Sequence, residues 1–238
     1  MQKEALVNEL ERYGSPIYTE EHTGPAPKLI SRRLYNLVLT GLIVLSFAIM
    51  GACSQITSTL EFWMFVSRNP LMFSVLTLVG SFGGLIVMSI ARARENITMG
   101  MIGFTIFTLT FGFTTSLALT MYSLETISVA FTATAAIMVV FGVAGIAFPR
   151  FFERVLPVCC LGLFAVLIVE LVLMLLGVQQ TMTDIVVILL FCGFIGYDVH
   201  RAATAVPTLT NAVWYAIELY LDIINVFLRL LQIFGRRD

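Results

Sequence analysis

Apolar runs close to 20 residues long recur along almost the whole of this 238-residue chain, and each is about what a helix needs to cross roughly 30 Å of hydrocarbon. Few soluble folds can bury so many such runs, so the bilayer is the natural solvent. Composition agrees. Hydrophobic residues make up 58% of the chain and charged residues 12%, with a mean hydropathy of +0.93, well beyond a water-soluble domain. The runs read as seven spans at about 34 to 54, 70 to 91, 97 to 121, 126 to 148, 155 to 178, 183 to 200 and 211 to 234. All are expected to be helical, because lipid penalises an unsatisfied backbone. Residues 1–33 are polar and read as a cytoplasmic tail, and 34–238 as an all-α membrane domain.

Lys and Arg favour the cytoplasmic side of short connections. An inside tail places Lys3, Arg12, Lys28, Arg32, Arg33, Arg92, Arg94, Arg150, Arg154 and Arg201 within the cell, against Arg68, Arg236 and Arg237 outside. The basic C-terminus is the one feature that dissents. The loop from Gln55 to Asn69 is read as the longest outside connection. A net charge of -1 gives a nucleic-acid partner no electrostatic support. Cys53, Cys159, Cys160 and Cys192 lie in or beside apolar runs, and only His22 and His200 could join them. That pattern fits buried thiols and not a metal site, and no bound cofactor is expected.

Ionisable groups at membrane depth are costly and therefore candidates for function. Glu170, Asp198, Glu218 and Asp222 are the acids that qualify. Asp198 lies in Phe194-Ile195-Gly196-Tyr197-Asp198, shortly before His200 and Arg201. In the last span Asn211, Tyr215, Glu218, Asp222, Asn225 and Arg229 follow at spacings of three or four, which puts them on one helical face. A polar face cannot meet lipid, so this helix should turn it toward the interior of the bundle or a wet path, with Tyr215, Glu218, Asn225 and Arg229 as pore-lining candidates. Trp214 and Tyr215 read as interfacial anchors. From that depth Asp198 and Asp222 can meet, and two carboxylates touching in a poorly solvated place cannot both ionise cheaply, so they would share a proton.

Plainer readings stand beside these. An acid can simply bond a neighbouring helix or pair with Arg201 or Arg229; Arg229 can snorkel outward as an anchor. Glu170, isolated in Leu167-Ile168-Val169-Glu170-Leu171, reads as a protonated helix–helix contact. Arg92 and Arg94 serve either as cytoplasmic anchors or as partners of a gating carboxylate. Gly80, Gly83 and Gly84 let helices approach closely.

The stretch Leu219-Tyr220-Leu221-Asp222-Ile223-Ile224-Asn225-Val226-Phe227-Leu228-Arg229-Leu230-Leu231-Gln232-Ile233-Phe234-Gly235 resembles the C-terminal signature of the Bax inhibitor family, and Gly196-Tyr197-Asp198 is similar to its sixth-helix aspartate. The resemblance implies six helices around a central seventh, acting as a calcium leak channel in bacterial members. It also implies that Asp198 and Asp222 share a proton, hold the cytoplasmic end of the pore shut and lie on the calcium path, and that Arg92 or Arg94 helps release them. Calcium and protons are then the species that move, membrane lipid the surroundings, and a bacterial plasma membrane the expected place; protein partners are not indicated. One departure concerns selectivity. The second span has no acid and offers calcium only Ser74, Thr77, Ser81, Ser89 and carbonyls, whereas calcium prefers six to eight oxygens that often include carboxylates.

Two enzymatic or photoreceptive alternatives fare poorly. An intramembrane aspartyl protease also carries two aspartates on adjacent late helices, but resembles its relatives through Gly-x-Gly-Asp and Pro-Ala-Leu stretches that are missing here. A retinal protein needs a lysine in the last helix, and Lys28 is the last lysine in the chain. A proton-coupled transporter remains an alternative to a passive leak.

Overall fold

The computed structural model describes residues 28–176 and 181–235. Most of the polar tail, including Lys3, Arg12 and His22, and the C-terminal Arg236 and Arg237 lie outside the described residues. Eight helices follow in order among them: α1 (Arg32–Thr57), α2 (Leu60–Arg68), α3 (Pro70–Ala93), α4 (Ile97–Leu119), α5 (Leu124–Ala147), α6 (Pro149–Leu175), α7 (Thr181–Thr204) and α8 (Leu209–Gly235). Local chemistry explains where they begin. Ser31, Asn96, Ser123 and Thr208 each accept a hydrogen bond from a backbone N–H three residues on, the N-cap arrangement. Pro70 and Pro149 open α3 and α6, where a missing N–H costs nothing.

Six of these helices, α1 and α3 to α7, are long and apolar enough to cross a membrane. They correspond to the first six expected spans. Helix α8 equals the longest of them at 27 residues, but its polar stripe keeps it out of that set. The expected loop from Gln55 to Asn69 is corrected: α2 occupies its centre, capped by Thr59, whose Oγ1 accepts from the Phe62 N–H at 3.4 Å. The apolar run Phe62 to Val66 is too short to span, so it forms part of a separate short helix. The fifth span also begins earlier than expected, at Pro149, because the exposed Arg150, Glu153 and Arg154 form a polar first turn.

The chain divides into two units. The first holds α1 to α4 with residues 204–217, the α7–α8 connection and the start of α8. There α4 packs against α1 and α3. Gly84 and Gly103 meet backbone to backbone, so that a Cβ on Gly84 would stand 2.8 Å from the Gly103 carbonyl oxygen. Gly80 likewise faces Thr110, but Gly83 faces open space; one position of the three expected to allow close approach does not. Buried hydroxyls are satisfied within their own helices, as Thr108 to the Phe104 carbonyl at 2.8 Å.

The second unit holds α5, α6, α7 and the remainder of α8. A single residue, Phe148, joins α5 to α6. On either side of it, Gly145 and Phe152 both press on Gly196 of α7: a Cβ on Gly145 would lie 2.6 Å from the Gly196 carbonyl carbon, and one on Gly196 would lie 2.6 Å from Phe152 Cζ. Helices α1 and α3 to α7 present many exposed large apolar side chains, among them Leu37, Leu71, Val139, Leu161 and Leu189, a surface suited to lipid. Helix α8 differs, with Val213, Ala216, Ile217, Tyr220, Ile224, Val226 and Leu231 nearly inaccessible.

Candidate functional site

Asp198 lies near the end of α7, two residues beyond the gripped Gly196, and Asp222 is on α8. Their carboxyl groups lie against each other. Asp222 is 6% exposed and the Asp198 side chain 13%, so water screens neither well. Two carboxylates can bond directly only if a proton lies between them. Arg201 stands at 3.7 Å from Asp198 and also at 3.7 Å from Glu218, one turn before Asp222. Its guanidinium is packed over the Tyr197 ring. A third of its side chain is exposed, so these pairs are solvent-weakened, and Arg201 is a loose partner at the edge of the carboxyl pair.

Farther along α8 the stripe ends differently from expectation. Arg229 forms a fork on Glu170 of α6, Nη1 to Oε1 at 2.6 Å and Nη2 to Oε2 at 2.8 Å, and the same Nη1 donates to Asp184 of α7 at 2.8 Å. Glu170 is therefore not the isolated protonated contact expected from its apolar neighbours. Asn225 donates from Nδ2 to the Leu221 carbonyl of its own helix at 2.7 Å.

In the first unit, a second cluster gathers around the start of α8. Arg92 donates from Nε to Asn211 Oδ1 at 2.9 Å and from Nη2 to Tyr215 Oη at 3.0 Å, and it packs on the rings of Trp214 and Tyr215. Tyr215 is only 5% exposed, so the expected interfacial anchor is instead a buried partner of an arginine. Arg94 is exposed and supplies the C-cap of α3. Next to it, Glu95 has a left-handed backbone, φ 48°, unusual for a residue with a side chain. Its Oε2 accepts a hydrogen bond from Thr210 Oγ1, and Thr210 pairs with Thr208 at 3.0 Å. A carboxylate at a helix N-terminus is favoured by the helix dipole. Residues 29 and 30 also join here, Leu29 bridging Thr208 and the Ile30 N–H bonding the Pro207 carbonyl at 2.9 Å. The start of α1, the α3–α4 turn and the α7–α8 connection therefore share one end of this unit.

Glu95, Thr208, Thr210 and Asp184 escape a reading by sequence. Glu95 sits in a turn between two polar residues, and Asp184 resembles an ordinary first-turn acid. Among the described residues no three His, Cys, Asp or Glu side chains converge to hold a metal. Asp198 and Asp222 offer at most two carboxylates to a passing cation.

Comparison with known proteins identifies the family. An uncharacterized membrane protein of Streptococcus pyogenes serotype M1 is 29% identical over 163 residues, 65% of this chain and 71% of its own length. The Golgi anti-apoptotic protein of vaccinia virus strain Lister is 30% identical over 176 residues, 71% of this chain and 70% of its own. The family model described as inhibitor of apoptosis-promoting Bax1 matches residues 28–238. This chain is an integral membrane protein of the Bax inhibitor family.

Proposed function

We propose that the chain is a passive calcium leak, closed when Asp198 and Asp222 share a proton and opened when they lose it. The observation that supports this reading is that two poorly screened carboxyl groups, Asp198 on α7 and Asp222 on α8, lie against each other. Loss of the proton leaves two negative charges in contact. Their repulsion in a poorly screened place is worth several kcal/mol, enough to drive the end of α7 away from α8. The same two carboxylates then face a passing divalent cation, for which oxygen ligands are suited. Arg201 supplies a positive charge that takes up part of the released repulsion.

In this reading α8 is the seventh span and the central one, lined by Tyr215, Glu218, Asn225 and Arg229. Arg92, rather than Arg94, is the arginine that steadies it, because Arg92 bonds two side chains of α8 while Arg94 is exposed. The tail faces the cytoplasm of a bacterial plasma membrane. Support comes from Arg32, Arg33, Arg92 and Arg94, which stand near the end where residue 29, the α3–α4 turn and the α7–α8 connection meet, as the positive-inside rule requires.

The test is calcium flux into liposomes containing the purified chain from about pH 5 to 8, read as the response of the coupled pair as a whole. Flux should rise with pH, and Asp198→Asn and Asp222→Asn should each flatten the profile. No flux at any pH would exclude the leak, and saturable flux driven by a proton gradient would replace it with a coupled transporter.

A further inference from the structure

The ion pairs around Arg229 are not needed to explain a carboxyl gate, yet they are tightly built. One guanidinium binds Glu170 in a two-pronged fork and Asp184 through a third bond. Arg229 belongs to α8, Glu170 to the second half of α6 and Asp184 to the first turn of α7, so a single side chain ties three helices. Asp184 is wholly inaccessible, and the Glu170 and Arg229 side chains are 12% and 18% exposed. Burying such charges yields little net stability but penalises any arrangement that separates them. The planar fork also fixes orientation, which a lysine's point charge cannot.

The geometry connects this centre to the carboxyl pair. Asp222 and Arg229 are seven residues apart on one helix, hence on one face and roughly 10 Å apart along its axis. Asp184 and Asp198 lie likewise on one helix, α7. Helices α7 and α8 are therefore joined at two levels, once by Asp198 and Asp222 and once by Asp184 and Arg229.

We propose that Arg229 is a positioning residue: by gripping Glu170 and Asp184 it sets the rotation and depth of the C-terminal half of α8, and so holds Asp222 against Asp198. The proposal rests on the gated-leak reading for its functional consequence, but the grip itself is measurable without flux.

Two measurements on the full chain test it, using Arg229→Gln, Arg229→Lys and Glu170→Gln, with the exposed Glu153→Gln as control. In lipid nanodiscs, hydrogen–deuterium exchange over residues 219–235 should become about tenfold faster in Arg229→Gln, less so in Glu170→Gln, and stay unchanged in the control. In liposomes, Arg229→Gln should leak calcium at the acidic pH where the parent is closed, with a flattened pH profile that Arg229→Lys restores in part. Should Arg229→Gln unfold, exchange will rise in every helix, and Glu170→Gln, which keeps Asp184 on the guanidinium, decides instead. Unchanged exchange over 219–235 in the folded variants overturns the proposal whatever the flux. Faster exchange there beside a parent chain that carries no flux would sustain the grip and remove the leak.

Discussion

Gly142 and Gly145 lie one turn apart on α5 and both face α7, yet replacing each by alanine should have opposite effects. A Cβ at Gly142 would meet Val199 Cγ2 at 3.5 Å, an ordinary contact, whereas one at Gly145 would stand 2.6 Å from the Gly196 carbonyl carbon and 2.7 Å from its Cα. Carbon atoms pack best at roughly 3.5–4.0 Å, so the second methyl must push α7 back by about 1 Å. The obstacle is backbone and cannot rotate away, which puts the cost near the top of the overpacking range, about 3 kcal/mol. The better helix propensity of alanine returns about 1 kcal/mol at either site. Gly145→Ala should therefore lose about 2 kcal/mol and Gly142→Ala gain about 1, or roughly 4–8 °C down and 2–4 °C up in melting temperature for a chain of this size. Heating the detergent-purified proteins and following the surviving monodisperse fraction by size exclusion measures both. A Gly145→Ala protein that melts at or above the parent temperature would refute the packing argument.

Arg92→Ala should destabilise the chain by about 3 kcal/mol, since it removes two charge-assisted hydrogen bonds and two cation–π contacts, while Arg94→Ala should lie within about 0.5 kcal/mol of the parent; thermal unfolding of the two variants side by side checks the contrast. Thr210→Val keeps the shape of the side chain but strips the Glu95 carboxylate of a donor, and should cost about 1–3 kcal/mol. The same melting assay reads it, and Thr210→Ser, which keeps the hydroxyl, should stay close to the parent.

Six spans and their helical character were legible because length and apolarity alone decide them, and the meeting of Asp198 with Asp222 followed from placing each acid by depth. Other features were hidden by what a linear reading omits. Glu170 looked isolated because its partner is 59 residues away. Tyr215 looked like an interfacial anchor because nothing nearby in the chain announces Arg92. Gly83 and Gly84 are indistinguishable as letters, and only the direction in which each faces separates open space from the backbone of α4. Glu95 carries a backbone conformation that its residue type argues against, and so could be found only in three dimensions.

The single residue between α5 and α6 has a mechanical consequence. Gly145 and Phe152 stand on the two arms of this joint and close on Gly196 like the jaws of a pincer, with Asp198 just beyond the grip. A joint of one residue has almost no play, so the jaws hold their span however α6 is jostled by lipid. An alanine inserted beside Phe148 would leave both helices intact yet widen the jaws, freeing α7 to slide along its own axis and carrying Asp198 with it.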